Sequence, residues 1–137
     1  MIAGVTGSRL GPSVAQLKWL RSQLREATEL HHGASVGVDA AAHRVAIEIG
    51  TEAIVVHPPV DLKAADQSTM VDMPGVTVLP RKPYLKCNHD IVDACEVLLA
   101  LPMGKEQQRI GTWATVRYAV KIGRPVRICG PYGERGK

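Results

Sequence analysis

Short apolar runs alternate with stretches of helical periodicity along almost the whole chain of 137 residues. The clearest run is VLLAL at 97–101, where every residue is apolar. Apolar runs also lie at 2–6, 53–57, 76–79 and 125–128, and LHHGAS at 30–35 is a weaker strand signal that ends in small residues. Strands that alternate with helices fold into a mostly parallel, doubly wound sheet with helices on both faces. The pattern therefore predicts one α/β domain over 1–130, followed by a flexible basic tail at 131–137.

Four local signals refine this prediction. Ser13 can cap a helix, and apolar residues follow it at helical spacing. A second helix is expected at 38–49, ended by Gly50. Residues 86–95 are also expected to be helical. The stretch 60–75 is polar and mixed, so it is predicted to be a flexible loop or a lid.

The charge balance and the cysteine count narrow the classes of function. The 17 Lys and Arg residues exceed the 13 Asp and Glu residues and give a formal net charge of +4, which suits an anionic partner such as a nucleotide. Cys87, Cys95 and Cys129 form no CxxC pair, which argues against a disulfide framework and for a reducing compartment. No secretion signal and no apolar run of membrane-spanning length is visible. We expect a cytoplasmic protein that does not enter membranes.

The histidines give no metal signature. Four of them share no spacing typical of a metal site: His31, His32, His57 and His89. We therefore expect neither a metal nor a cofactor. His43 follows Asp39 by one helical turn, so the two side chains can touch. A single histidine on a helix is more often structural than catalytic, and His43 is interpreted in that way.

The first strand of the predicted sheet ends in the turn TGSR. Ligands of doubly wound sheets bind at the carboxyl ends of the strands, near the switch in strand order. That rule selects the loops at 7–12, 33–39, 87–90 and 103–112. In the first loop, Gly7, Ser8 and Arg9 offer backbone N–H groups, a hydroxyl and a fixed positive charge, which suit a phosphate. An ordinary strand-to-helix turn with Arg9 in solvent is an equally good interpretation.

The second loop, in the stretch GASVGVDAAAH, opens a helix with a carboxylate. Gly37 and Asp39 lie at the mouth of this helix. The carboxylate can accept hydrogen bonds from ribose hydroxyls or a base edge. It is also favoured there by the helix dipole, whether or not a ligand binds.

The last loop, GKEQQRIGT, also ends at a helix amino terminus. Gly111 and Thr112 can present N–H groups and a hydroxyl to an anion that Lys105 or Arg109 approaches. The alternative is a solvated loop with a threonine cap. Trp113, at the opening of the helix, is expected to be a packing residue that could also stack on a base.

Four blocks of the sequence resemble a known superfamily. The blocks GVTGSR, GASVGVDAAAH, CNHDIVDACEVLLALP and GTWATVRYAVKIGRPV are similar, in order and spacing, to those of the SLOG superfamily of Rossmann-like nucleotide binders. The resemblance covers 2–128. It implies a single Rossmann-like domain that binds a nucleotide-like molecule. It also implies a homodimer, because relatives often pair through helices beside the site.

The pattern is most similar to the Rossmann domain of the DNA-processing protein DprA. That family reads roughly G-S-R, then S-G-x-A-x-G-I-D-x-x-A-H, then R-N-R, then S-G-[ST]-x-x-T-A. Residues 7–9 match the first block. The second is matched by 33–34, leading to 37–39 with 42–43. Asn88 matches the Asn of the third block, and 111–115 match the last. Cys87 and His89 stand where the two arginines of that family lie. A DprA-like module for single-stranded DNA is therefore a second alternative, and nucleic acid is a less favoured partner.

Two enzyme families are also similar. The LONELY GUY (LOG) family hydrolyses nucleoside monophosphates at the N-glycosidic bond and reads R-K-x-x-M, then P-G-G-x-G-T-x-x-E. Its catalytic Arg falls on Cys87 and its catalytic Glu on Thr115. The nucleoside deoxyribosyltransferase block D-x-G-T-x-x-E-x-G-Y-A resembles 111–119, and its nucleophilic Glu also falls on Thr115.

The missing carboxylate favours a protein that holds its ligand over one that cuts it. Glycosidic cleavage needs a carboxylate at the oxocarbenium-like centre, and a threonine hydroxyl is a poor nucleophile without an adjacent base. We predict a nucleotide sensor or sequestering protein. Its predicted ligand-binding residues are Gly7, Ser8, Arg9, Gly37, Asp39, Asn88, Gly111, Thr112 and Thr115. The alternative is a nucleoside phosphate N-glycohydrolase or deoxyribosyltransferase in which Asp90, Asp93 or Glu106 supplies the catalytic carboxylate.

Overall fold

The computed structural model describes residues 1–105 and 111–136. Within these residues strands and helices alternate, with one 3₁₀ turn at Gln67–Thr69. In chain order the main elements are β1 (Ile2–Gly7), α1 (Val14–Leu24), β2 (Glu29–His32), α2 (Val38–Ile49), β3 (Ala53–Val56), β4 (Val76–Val78), α3 (Tyr84–Ala94), β5 (Val97–Leu101), α4 (Gly111–Lys121), β6 (Val126–Cys129) and β7 (Arg135–Gly136).

The strands form one sheet in the order β4-β3-β2-β1-β5-β6-β7. Strands β1 to β6 pair in parallel, whereas β7 is antiparallel to β6. From the central strand β1 the chain moves outward through β2, β3 and β4, and then crosses to β5 on the other side. This reversal is the topological switch point, where a crevice opens at the carboxyl ends of the strands. The predicted α/β fold, Rossmann-like with a mostly parallel sheet, is confirmed.

Helices cover both faces of the sheet, as predicted. Because the chain has no Phe, both cores are mostly aliphatic. The core under α1 and α2 includes Leu20, Leu24, Leu30, Val45 and Leu99. The core under α3 and α4 includes Val92, Leu98, Val116, Ala119 and Ile128.

The helix boundaries follow the predicted capping signals. The Ser13 hydroxyl accepts a hydrogen bond from the Gln16 N–H at 3.2 Å, and the Gln16 side chain accepts one from the Ser13 N–H at 3.0 Å. These reciprocal bonds form a capping box at the start of α1. Gly50 ends α2 in the left-handed conformation, with φ of +79°. None of the helices in the described part of the chain has the length and apolar character that crossing a membrane requires.

The structure differs from the sequence prediction around β2 and α3. Strand β2 ends at His32 rather than at 35, because Ala34 adopts a left-handed φ of +62° and turns the chain. Helix α3 begins at Tyr84, two residues before the predicted start. The prediction of an edge loop at 87–90 is wrong, since these residues lie inside α3.

The stretch predicted to be a flexible loop or lid is held against the loop that follows β2. The Val36 N–H donates a hydrogen bond to the Ala64 carbonyl oxygen at 2.9 Å, and the Asp66 N–H donates one to Ala34 at 2.7 Å. Part of 60–75 is therefore docked beside the amino end of α2.

The predicted basic tail also makes defined contacts. Strand β7 pairs with β6, and the Ser13 hydroxyl donates a hydrogen bond to the Pro131 carbonyl oxygen at 2.6 Å. Residues 131–136 thus extend the sheet by one short strand and contact the start of α1. A turn at 130–133 brings the chain back along β6.

Candidate functional site

A cleft of about 670 Å³ lies at the carboxyl ends of β1 and β5, which is the switch point of the sheet. Four segments line it: the β1–α1 loop at 7–10, the start of α3 at 84–85, the residues after β5 at 102–105, and the first turn of α4 at 111–114. Five of the predicted ligand-binding residues meet here: Gly7, Ser8, Arg9, Gly111 and Thr112. Lys105 lines the same cleft.

The β1–α1 loop is fixed by its backbone. The Ser8 N–H donates to the Leu101 carbonyl oxygen at 3.2 Å, and the Ser8 carbonyl oxygen accepts from the Val38 N–H at 3.1 Å. The Ser8 hydroxyl accepts a hydrogen bond from the Leu10 N–H at 2.9 Å. Arg9 follows as an exposed residue on the cleft wall. The loop therefore holds its backbone rigidly while it presents a positive charge.

Gly37 contacts the backbone of this loop and does not line the cleft. Its φ of +86° and ψ of −122° are accessible to glycine and not to other residues. A Cβ at this position would overlap the Ser8 carbonyl oxygen and approach the Arg9 Cα to 2.7 Å. The residue predicted to bind a ligand is therefore placed where the backbones of two loops touch.

The first turn of α4 forms the opposite wall. Gly111 begins the helix, and Thr112 is buried behind it. The Thr115 hydroxyl donates a hydrogen bond to the Gly111 carbonyl oxygen at 2.9 Å, and the residue is only 2% exposed. Thr115 is thus turned into the protein and does not line the cleft. Position 115 therefore offers neither a charge nor access to solvent.

The Asp39 side chain is hydrogen-bonded to the loop that follows β2. One carboxylate oxygen, Oδ2, accepts hydrogen bonds from the Gly33 N–H at 3.0 Å and the Ser35 N–H at 3.3 Å. The left-handed Ala34 between them makes the two N–H groups converge, so that the carboxylate fills a backbone nest. Burial raises the pKa of Asp39 to about 7, and the two N–H bonds oppose that shift. The structure does not bring Asp39 into the cleft.

Asn88 carries a buried amide group with no partner. It lies on α3 one turn after Tyr84, which lines the cleft, and the residue is 9% exposed. Its Nδ2 atom is shielded from solvent and finds no hydrogen-bond acceptor in the described part of the chain. A buried amide without a partner is uncommon and costs about 1–3 kcal/mol. Asn88 itself does not line the cleft.

The candidate catalytic carboxylates lie away from the cleft or outside the described residues. Asp90 accepts charged hydrogen bonds from Lys86 at 2.9 Å and Lys82 at 3.0 Å, and the Lys86 bond contributes most to lowering its pKa. Asp93 accepts a hydrogen bond from the Tyr118 hydroxyl at 2.7 Å. Neither lines the cleft. Glu106, like Arg109, lies outside the described residues.

Sequence reasoning missed a hydrogen-bonded series of side chains on β2 and at the residue that follows β3. Glu29 Oε2 lies 2.6 Å from His31 Nε2, and His31 Nδ1 lies 2.8 Å from His57 Nε2. If the Glu29 carboxylate accepts a hydrogen bond from the Nε2–H group of His31, then His31 Nδ1 accepts a hydrogen bond from the Nε2–H group of His57. Burial, and next the neighbouring His31, lower the pKa of His57 to about 4. The hydrogen bond between His31 and His57 joins residues that are far apart in sequence, so no local sequence pattern indicates it.

A second histidine pair lies on the opposite face of the sheet. His32 Nε2 and His43 Nδ1 are 2.9 Å apart, and burial lowers the pKa of both, most strongly that of the fully enclosed His32. His43 is thus paired with His32 rather than with Asp39. Among residues 1–105 and 111–136, no group of three or more His, Cys, Asp and Glu side chains is placed to hold a metal ion.

Sequence reasoning also missed the apolar part of the cleft wall. Leu10, Tyr84, Leu85 and Met103 line it beside the predicted polar residues. Tyr84 and Leu85 follow a proline, and a proline before a helix is a recognised signal for its start. That signal was available in the sequence and would have placed the two residues at the carboxyl edge.

No protein-family model and no curated protein matches this chain. Among solved structures, the chain is similar to the X-ray structure of TM1055, a target of the Northeast Structural Genomics Consortium, with a TM-score of 0.64 and 21% sequence identity. The match covers 92% of this chain and 72% of the other. At this level of identity the similarity supports the fold alone, and it agrees with the Rossmann-like arrangement of the sheet.

Proposed function

We propose that this chain binds a nucleotide or nucleotide-derived molecule in the cleft at 7–10 and 111–114, and does so without covalent chemistry. The observation that carries the proposal is the meeting, at the switch point of the sheet, of two segments whose backbone N–H groups and side chains suit an anion. Gly7, Ser8 and Arg9 come from one side, and Gly111 and Thr112 from the other. Ligands of this fold class bind at the same edge.

The chemistry of the cleft suits a phosphate joined to a flat, apolar group. The first N–H groups of α4 have no partners within their own helix, and the helix dipole favours an anion there. Arg9 and Lys105 add positive charge, while Leu85, Met103 and Trp113 offer apolar surface for a base. The volume of about 670 Å³ lies within the usual range for small-molecule sites, roughly 300–1,000 Å³.

The absence of a carboxylate supports binding rather than cleavage. No Asp or Glu is present among the lining residues at 7–10, 84–85, 102–105 and 111–114. The Thr115 hydroxyl is buried and bonded to Gly111, so it cannot replace the charge that a glycosidic transition state requires. The alternative enzyme would have to draw its carboxylate from elsewhere, for which Glu106 remains a candidate by sequence.

The family assignment belongs to the same proposal. The loop motifs at 7–9, 33–43 and 111–119 resemble those of the SLOG superfamily. Seven of the cleft residues fall in these motifs, namely those at 7–9 and 111–114. We infer that the chain is a SLOG-like nucleotide binder and, by the same resemblance, a homodimer. Salt-sensitive binding of single-stranded DNA would instead favour the DprA-like module.

A thermal-shift screen against mono-, di- and cyclic nucleotides tests the proposal directly. We expect at least one nucleotide to raise the unfolding temperature, because a ligand that binds only the folded state stabilises it. Chromatography of each mixture then reports the fate of the ligand. Recovery of intact nucleotide supports a binder, and release of free base identifies an enzyme. A nucleotide panel that causes no shift and gives no calorimetric signal contradicts the proposal.

The Arg9→Gln variant is expected to bind the nucleotide found in that screen roughly tenfold or more weakly than the native chain, because a charged hydrogen bond contributes about 1.5–3 kcal/mol. The loss should shrink as salt is added. Arg25→Gln removes the same charge at the opposite edge of the sheet, where Arg25 is exposed after α1, and should leave the affinity unchanged. Equal affinities of Arg9→Gln and Arg25→Gln, measured by calorimetry, would place the phosphate elsewhere.

A further inference from the structure

Tyr84 and Gly111 fit together across the cleft. Tyr84 is the first residue of α3, and Gly111 is the first residue of α4. A Cβ at Gly111 would overlap the hydroxyl oxygen of Tyr84 and lie 3.1 Å from its Cζ atom. The phenol therefore reaches the amino end of α4 because residue 111 has no side chain.

The position of this phenol differs from that of a core residue. Tyr84 is 39% exposed and lines the cleft. Its hydroxyl has no hydrogen-bond partner among residues 1–105 and 111–136, whereas the Tyr118 hydroxyl, also on the surface, is bonded to Asp93 at 2.7 Å. A tyrosine hydroxyl can donate one hydrogen bond and accept another. The hydroxyl oxygen lies against Gly111 at the amino end of α4, where the helix dipole favours an anion, and Arg9 lines the same cleft.

We propose that Tyr84 contacts the ligand and that its hydroxyl donates a hydrogen bond to the anionic group held at the start of α4. This inference rests on the proposed function for the location of the anion and extends it to a residue outside the sequence motifs. The ring forms a wall of the cleft, and it fits there because Gly111 has no side chain. Tyr84 is therefore a specificity-determining residue, which selects ligands with an acceptor oxygen beside the Gly111 N–H.

The Tyr84→Phe variant separates ligand contact from packing, because it keeps the ring and removes the hydroxyl. We expect its affinity for AMP and for inorganic phosphate, measured by calorimetry, to fall roughly tenfold, since a hydrogen bond to a charged group contributes about 1.5–3 kcal/mol. Its unfolding temperature without ligand should be unchanged. Tyr132→Phe is the matched control, because Tyr132 is 88% exposed and lies outside the cleft.

A double-mutant cycle tests the fit between the two residues. Gly111→Ala should weaken phosphate binding in the native background, because the new methyl group displaces the Tyr84 ring. In the Tyr84→Ala background the same change should have little effect, because the ring is already absent. Such non-additivity is the signature of two residues in contact. Additive losses would contradict a coupled role for Tyr84 and Gly111.

The two probes distinguish failure of this inference from failure of the proposed function. If AMP and phosphate both bind the native chain and Tyr84→Phe binds them equally well, the contact by Tyr84 is refuted and the nucleotide proposal stands. If phosphate binds with a loss in Tyr84→Phe while no nucleotide binds, the contact is supported and the nucleotide proposal fails. If neither probe binds the native chain, both are refuted.

Discussion

The Gly37→Ala variant is expected to lower the free energy of unfolding by roughly 3 kcal/mol or more, which is among the larger effects of a single substitution. Two costs combine at this position. The φ of +86° and ψ of −122° are strained for any residue with a Cβ. In addition, the new methyl group would lie 2.7 Å from the Arg9 Cα and would overlap the Ser8 carbonyl oxygen. Because both neighbours are backbone atoms, the clash is relieved only by moving the β1–α1 loop.

The Gly50→Ala variant provides the matched control for this prediction. Gly50 also has a positive φ, of +79°, but nothing lies within 4 Å of the Cβ that would be added. It should therefore show only the conformational cost, about 1 kcal/mol. Urea denaturation of both variants measures the difference. Equal losses at the two positions would mean that the approach of Gly37 to the loop is unimportant. A larger loss for Gly37→Ala, with weakened phosphate binding, would show that the loop geometry is needed for the site.

The fold could be predicted from the sequence because its signals are local. Apolar runs of strand length, the cap at Ser13 and the stop at Gly50 each depend on a few neighbouring residues. The rule that ligands bind at the carboxyl edge selected four loops. Described residues of the loops at 7–12 and 103–112 lie on the wall of the same cleft, whereas 33–39 does not line it and 87–90 lies inside α3.

The contents of the site were harder to predict because they depend on where side chains turn. Asp39 is adjacent to the right edge in sequence, yet its carboxylate is used by the nest at Gly33 and Ser35. That nest requires Ala34 to adopt a left-handed φ, which alanine rarely does and which no sequence pattern indicated. The link between Glu29, His31 and His57 was missed for a related reason, since strand pairing creates it and spacing does not.

The buried carboxylate of Asp39 leads to a prediction about pH. The pKa of Asp39 is raised from 3.8 to about 7 in the folded protein. Between these two values the folded state binds more protons at this group than the unfolded state, so its contribution to stability falls as pH rises through the window. His57 acts with the opposite sign. Because burial lowers the pKa of His57 from 6.5 to about 4, protonation of the unfolded chain destabilises the fold as pH falls through that range.

Comparison of native protein and Asp39→Asn at the same pH isolates the carboxyl group, because the histidine contributions are common to both. The amide can accept the same two N–H bonds and never ionises. We expect the stability of Asp39→Asn relative to the native protein to increase from pH 4 to pH 7, by a few kcal/mol at about 1.4 kcal/mol per pKa unit, and to level off above pH 7. Chemical denaturation at pH 4, 5.5, 7 and 8 gives this difference.

The same substitution at Asp61 controls for the loss of a negative charge, since Asp61 is exposed and accepts only a local hydrogen bond from the Lys63 N–H. Asp61→Asn should follow the native protein at every pH. If Asp39→Asn also follows it, Asp39 ionises as an ordinary carboxyl group and the nest stabilises the anion fully. If instead the difference grows as expected, the protein is stabilised at neutral pH by removing a charge that sits beside the candidate site. Such a cost at a buried carboxylate is more readily explained by a functional role for the loop after β2 than by stability of the fold.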